Sequence, residues 1–216
     1  MTTKKKQSRV RDGEATRRAL IDAAAELFAD EGVEAVSIRA INAAAGYGPA
    51  AAHYHFGAKD ALLHAVLVDY GSDVLARIHA MAGELAERRK APSAVEIVSV
   101  LAIPYQQFLK EDPVRAERWL TICGQLSLVN DERLFSPMED DDTAQLLGTL
   151  LERVYPDVEP DERDRNWSLA ANTLIAMAAT WVGAADRSGE ASTEGLDSLA
   201  WFIAGGMTAL MERRRA

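Results

Sequence analysis

Between Ala50 and Lys59 the chain reads Ala-Ala-Ala-His-Tyr-His-Phe-Gly-Ala-Lys, and these side chains suit one kind of chemistry. Tyr and His exchange hydrogen bonds with phosphate oxygens and base edges, and small residues let a helix backbone sit deep in a groove. Phe56 supplies an apolar anchor. Lys59 falls in the first turn of the next helix, where its charge opposes the dipole and suits a phosphate partner. His53 and His55 also suggest half a metal site. Side chains two apart on a helix do not face each other, however, and no nearby Cys or Glu-x-x-His completes a ligand set, so no metal is expected.

These residues need elements to hold them. Ser37 is a helix N-cap type, and a small-residue helix follows with Ile38, Ile41 and Ala45 on one face. Gly46 suits the left-handed conformation that ends a helix. Gly48 and Pro49 restart it, since Pro is tolerated at the first helical position. The second helix is expected from about Pro49 to His55, closed by Phe56 and Gly57. Helix, tight glycine turn and short helix make a helix-turn-helix over about 37–56. A preceding helix, Gly13 to Asp30, carries Leu20, Ile21, Ala24, Leu27 and Phe28 on one face and ends at Gly32.

This register resembles the TetR family of bacterial transcriptional regulators. The likeness rests on Ser37, Ala45-Gly46-Tyr47, Ala50-Ala51-Ala52, His53-Tyr54-His55-Phe56 and Ala58-Lys59-Asp60, and extends back through Thr16 to Gly32. Tyr47 stands where the family has an aliphatic residue, Ala52 where it has Leu or Val, and Ala58 where it has Ser. The resemblance implies DNA contacts from Thr16, Arg17, Ser37, Arg39, Gly48, Pro49, Ala50, Ala51, His53, Tyr54, His55 and Lys59. It further implies a homodimer on a palindromic operator, a repressor released by a small-molecule effector.

Composition is compatible with that. Of 216 residues, 48% are hydrophobic and 26% charged, and the alanine-rich, β-branch-poor runs favour an all-α chain. The net charge of −9 is unevenly spread. Residues 1–18 carry Lys4, Lys5, Lys6, Arg9, Arg11, Arg17 and Arg18 against Asp12 and Glu14, whereas residues 61–216 are strongly acidic. A basic end on an acidic body concentrates the attraction for phosphate. No apolar run reaches the roughly 18 residues of a membrane span. The N-terminus has no apolar signal core, and a lone Cys123 fits a reducing compartment, so a cytoplasmic protein with no membrane partner is expected.

The expected organisation is a disordered basic arm (1–12), a three-helix DNA-binding domain (13–73) and a helical effector and dimerisation domain (74–216). A long helix from Lys59 to about Leu85 joins the two domains. Its stripe is Leu63, Val66, Tyr70, Val74, Ile78, Met81 and Leu85. Ser93 and Glu96 form a capping box, Asp112 and Pro113 start the next helix, and Ser136-Pro137 another, opening with Glu139 to Asp142. The last two helices, about 162–185 and 193–214, show near-heptad stripes. Leu174, Trp181, Leu196, Leu199, Ile203, Gly206, Met207 and Leu210 are the expected dimer interface. The first positions to search for an apolar pocket are Tyr105, Phe108, Trp119, Cys123 and Met138, with Leu147, Trp167, Met177 and Trp181. No nucleophile elbow, zinc signature or glycine-rich phosphate loop supports an enzyme, and no cofactor is expected. A constitutive DNA-binding protein without effector is the alternative, with an α-helical enzyme behind it.

Overall fold

The structure, a computed structural model, describes residues 2–138, 142–188 and 194–213. The described residues form nine α-helices and one 3-10 helix, and no strand. The helices are α1 (Thr2–Glu31), α2 (Ile38–Ala44), α3 (Ala51–Phe56), α4 (Lys59–Glu87), α5 (Ala94–Glu111), α6 (Pro113–Leu128), α7 (Thr143–Val154), α8 (Pro160–Ser188) and α9 (Glu194–Glu212). The chain divides into two compact units, Met1–Tyr70 and Gly71–Ala216, with the division inside α4.

In the first unit, Leu20, Ile21, Ala24 and Phe28 of α1 are fully buried together with Ile41 of α2 and Leu62 of α4. Ala52 is the residue by which the short α3 enters that core. Polar ties hold α1 to the start of α4. Arg18 Nη1 lies 2.8 Å from Asp69 Oδ2, and Tyr70 Oη donates to Asp22 Oδ1 at 3.1 Å. Residues 2–12, expected as a disordered arm, are the opening turns of α1. Lys, Gln and Arg are good helix formers, and no Pro or Gly occurs before Gly13, so the helix begun by the buried face can propagate outward.

In the second unit, α6 packs on α8 and α5 on α9. Close approach of α6 to α8 explains Gly124, where a Cβ would lie 2.4 Å from Ala179 Cβ. Gly71 of α4 has a similar reason, since a Cβ there would lie 2.5 Å from Trp119 Nε1. A mid-helix glycine costs about 1 kcal/mol against alanine. Here it admits an indole that also meets Tyr105 and Phe108 edge-on, at centroid distances of 5.8 and 6.2 Å.

The short helix α7 is fastened at both ends to the second half of α4. His79 Nδ1 pairs with Thr143 Oγ1 at 2.8 Å, and Arg153 donates to the carbonyls of Leu85, Ala86, Arg88 and Lys90. Those carbonyls lie at and beyond the C-terminal end of α4, where intrahelical donors run out. The expected caps form. Ser93 and Glu96 close a full capping box, and Asp112 accepts from Arg115 N at 3.2 Å with Pro113 in the first turn. Ser136-Pro137 does not start an α-helix. Both lie in the 3-10 helix Glu132–Met138, and α7 begins at Thr143. Of the acidic run expected there, Asp142 is the N-cap of α7, and Glu139, Asp140 and Asp141 lie outside the described residues.

Candidate functional site

The helix-turn-helix is built from α2 and α3. Ser37 Oγ accepts from Ala40 N at 3.1 Å and so caps α2. Gly46 has φ +75, which a residue with a side chain rarely adopts, and lets the chain leave α2 within two residues. Pro49 lies in the turn rather than at the first helical position, and α3 begins two residues later, at Ala51. Gly57, with φ +74, ends α3, and His53 Nδ1 donates to its carbonyl at 2.6 Å.

The expected DNA-contacting residues occupy one unit, and most are open to solvent. Ser37, Arg39, Gly48, Pro49, Ala50, His53 and Tyr54 are exposed, and Ala51, His55 and Lys59 are half-buried. Tyr54 is 84% exposed, the more open of the two exposed large hydrophobic residues described on this unit. Arg17 reaches α3 from α1, its guanidinium carbon 5.3 Å from the Phe56 ring centroid. Thr16 and Lys59, like Ser37 and His53, have internal partners as well. Thr16 Oγ1 donates to the Asp12 carbonyl at 2.8 Å, and Lys59 Nζ to the Glu34 carbonyl at 3.2 Å. Arg18, counted with the basic stretch, is held by Asp22 and Asp69.

The expected pocket residues separate into three groups. Met138, Leu147 and Trp167 line a cavity of about 190 Å³ together with Leu101, Phe135 and Leu151. Its polar lining side chains are Asp164 and Ser168. Tyr105, Phe108, Trp119 and Cys123 do not line it and are packed in the core. Burial raises the Cys123 thiol above its ordinary range, so it is held protonated and unreactive. Met177 is exposed, and Trp181 lies against the backbone of Gly195, where a Cβ would be 2.9 Å from its ring. Among the described residues no group of three His, Cys, Asp or Glu could hold a metal ion, and no helix is long and apolar enough to cross a membrane.

Residues 20–66, from the buried face of α1 through the helix-turn-helix to the first turns of α4, match the family model described as bacterial regulatory proteins, tetR family. The match is confined to this N-terminal domain. The chain is 45% identical over 51 residues to the HTH-type transcriptional regulator BetI of Rhizobium meliloti (strain 1021), over 24% of this chain and 25% of that protein. The chain thus spans about a quarter of the length of the curated relative it matches. The fold is similar to that of the fatty acid degradation regulator FadR from Bacillus halodurans, at 17% identity over 88% of this chain and 95% of that one, with a TM-score of 0.56. A candidate tetR family transcription regulator from Shewanella sp. PV-4 is similar over the same shares at 12% identity and a TM-score of 0.52. At such identities the likeness is one of fold.

Most of the stripe expected at a dimer interface faces inward. Leu174, Leu196, Leu199, Ile203 and Met207 are buried within the single chain, where α9 packs on α5 and α8. The near-heptad stripe is therefore core, because the same spacing serves either a partner or the chain's own helices. Leu210 is half-buried and Gly206 exposed. The open apolar side chains of α9 are Trp201, 68% exposed, and Phe202, 76% exposed, both missed by reading the stripe alone. Asn42 was missed too. It is 1% exposed and bonds to Pro49 O and Ala52 N, a polar residue amid apolar spacing whose partners only the folded turn brings near.

Proposed function

We propose that this TetR-family chain is a ligand-responsive transcriptional regulator. It is a repressor that binds a palindromic operator as a homodimer and releases it when a small effector binds. The supporting observation is the outward row of α3. His53 and the largely accessible Tyr54 project from a helix that buries only Ala52, with Arg17 alongside. A helix with so little core to fill and so much hydrogen-bonding capacity outside fits a major-groove reader.

The homodimer reading is supported by the open face of α9. Trp201 and Phe202 are followed by Gly205 and Gly206, both exposed and with nothing within 4 Å of a Cβ. Two mid-helix glycines weaken α9 by about 1 kcal/mol each unless another backbone approaches closely. The effector reading is supported by the apolar cavity between α5, α7 and α8, whose Asp164 and Ser168 could orient a ligand.

Selection of duplexes from a random pool tests this reading. Enrichment of a palindrome is expected, with half-site centres about one helical turn apart, roughly 34–36 Å. Metabolite extracts are then screened for release of that duplex. Ligand and operator should weaken each other by the same factor, typically about 5–150-fold. Equal ligand affinity with and without duplex would leave a constitutive DNA-binding protein. Failure to enrich any sequence would remove the regulator reading altogether.

A further inference from the structure

Nothing in the general logic of a helix-turn-helix requires a buried amide at position 42. An amide in an apolar interior is strongly disfavoured unless it is hydrogen-bonded, so its partners show what it is for. Asn42 Nδ2 donates to the Pro49 carbonyl at 2.9 Å, and Asn42 Oδ1 accepts from Ala52 N at 2.9 Å. One side chain on α2 thus grips both the turn and the first turn of α3.

The local sequence leaves that work undone. The N-cap of α3 is Ala50, which makes no side-chain cap bond, and neither Gly48 nor Pro49 carries a side-chain acceptor. A helix start normally satisfies its orphan N–H groups with a Ser, Thr, Asp or Asn at that place. Here the acceptor comes from ten residues earlier, across the turn. Because the amide also holds Pro49, it restrains the axis of α3 as well as capping it.

We propose that Asn42 is the positioning residue of the DNA reader. It presets the pose of α3 so that His53 and Tyr54 meet base edges in register. The proposal rests on α3 being the reader. It separates two quantities: specific binding needs the pose of α3, whereas non-specific attraction to phosphate needs mainly charge.

The test uses the full chain, with Asn42→Ala, Asn42→Asp and the double variant Asn42→Ala with Gly48→Ser. Position 48 is exposed and a Cβ there meets nothing within 4 Å, so a local cap can be installed. Affinities are measured for the duplex enriched by the wild type and for its shuffled sequence, below the melting temperature of each variant. Amide exchange is followed at Ala52 and, as internal control, at Ile41, which is bonded to the Ser37 carbonyl.

For Asn42→Ala, affinity for the enriched duplex should fall about tenfold or more, as the Pro49 carbonyl and the buried Ala52 N–H lose their partner. Affinity for the shuffled duplex should stay within about twofold, since the charge is unchanged. Ala52 should exchange faster with Ile41 unaltered, and Gly48→Ser should recover part of the specific affinity. If Asn42→Ala does not fold, Asn42→Asp decides. It keeps the acceptor for Ala52 but puts an oxygen against the Pro49 carbonyl, so its ratio of specific to non-specific affinity should drop. An unchanged ratio, or both affinities falling in parallel, would overturn the proposal. Should the wild type enrich no duplex, the reader falls and the positioning role with it. Ala52 exchange would then still tell whether Asn42 caps α3.

Discussion

The guanidinium of Arg17 sits over the ring of Phe56, 5.3 Å from its centroid, so a cation of α1 is held at the closing end of α3. An exposed contact of this kind is worth about 0.5–1 kcal/mol, enough to bias a flexible side chain toward one orientation. Arg17→Gln should weaken binding to every duplex alike. It should also reduce the magnitude of the salt slope by about 0.9, one phosphate's worth. A change in the preferred sequence would instead make Arg17 a base reader.

Tyr54 should separate reading from folding. The residue is 84% exposed, so Tyr54→Ala should leave the unfolding free energy within roughly ±0.5 kcal/mol. Loss of a base-edge or phosphate contact should lower affinity for the enriched duplex, and Tyr54→Phe would show how much of that belongs to the hydroxyl. Lys59→Ala differs because Nζ also holds the Glu34 carbonyl, so lost affinity should come with a small loss of stability. Wild-type affinity in both variants would remove them from the interface.

The two faces of α9 should respond oppositely to charge. Ile203→Glu places a carboxylate in the chain's own core and should unfold or severely destabilise the protein. Trp201→Glu and Phe202→Glu alter an open surface and should give a folded monomer by light scattering, with operator binding lost in step. A dimer that survives both would place self-association on another surface.

Glu96 gives the second unit an acid limb. The Ser93 backbone N–H, then the Ser93 hydroxyl, and Arg88 hold its carboxyl below the usual carboxylate range. A depressed folded pKa contributes stability above the unfolded value of about 4.3, and that contribution is lost as pH falls through the lower folded value. Melting temperature should therefore drop less steeply between about pH 5 and pH 3 in Glu96→Gln than in the wild type. Identical slopes would mean that the capping carboxylate carries no linkage.

Local signals were legible. Ser37, the Ser93–Glu96 box and Asp112-Pro113 act within four residues of themselves, so residue type and spacing suffice to find them. The pose of α3 was not, because the partners of Asn42 lie seven and ten residues on and meet it only once Gly46 has turned the chain. The outer face of α9 was hidden for another reason. A stripe of Leu196, Leu199, Ile203 and Met207 records that something covers it, and only the packing of α5 and α8 says what. The cavity was half visible, since Met138, Leu147 and Trp167 look no different in sequence from the core residues Tyr105 and Trp119.

The indole of Trp119 stands where any side chain at Gly71 would have to be. The two positions are therefore bound together in descent. Gly71→Ala should be rejected in a library that keeps Trp119 and accepted once Trp119→Leu has come first, so the order of mutation decides which path stays open. Gly205 and Gly206, with empty space around them in the single chain, carry no such history within it. Any epistasis they show would have to be written by another molecule.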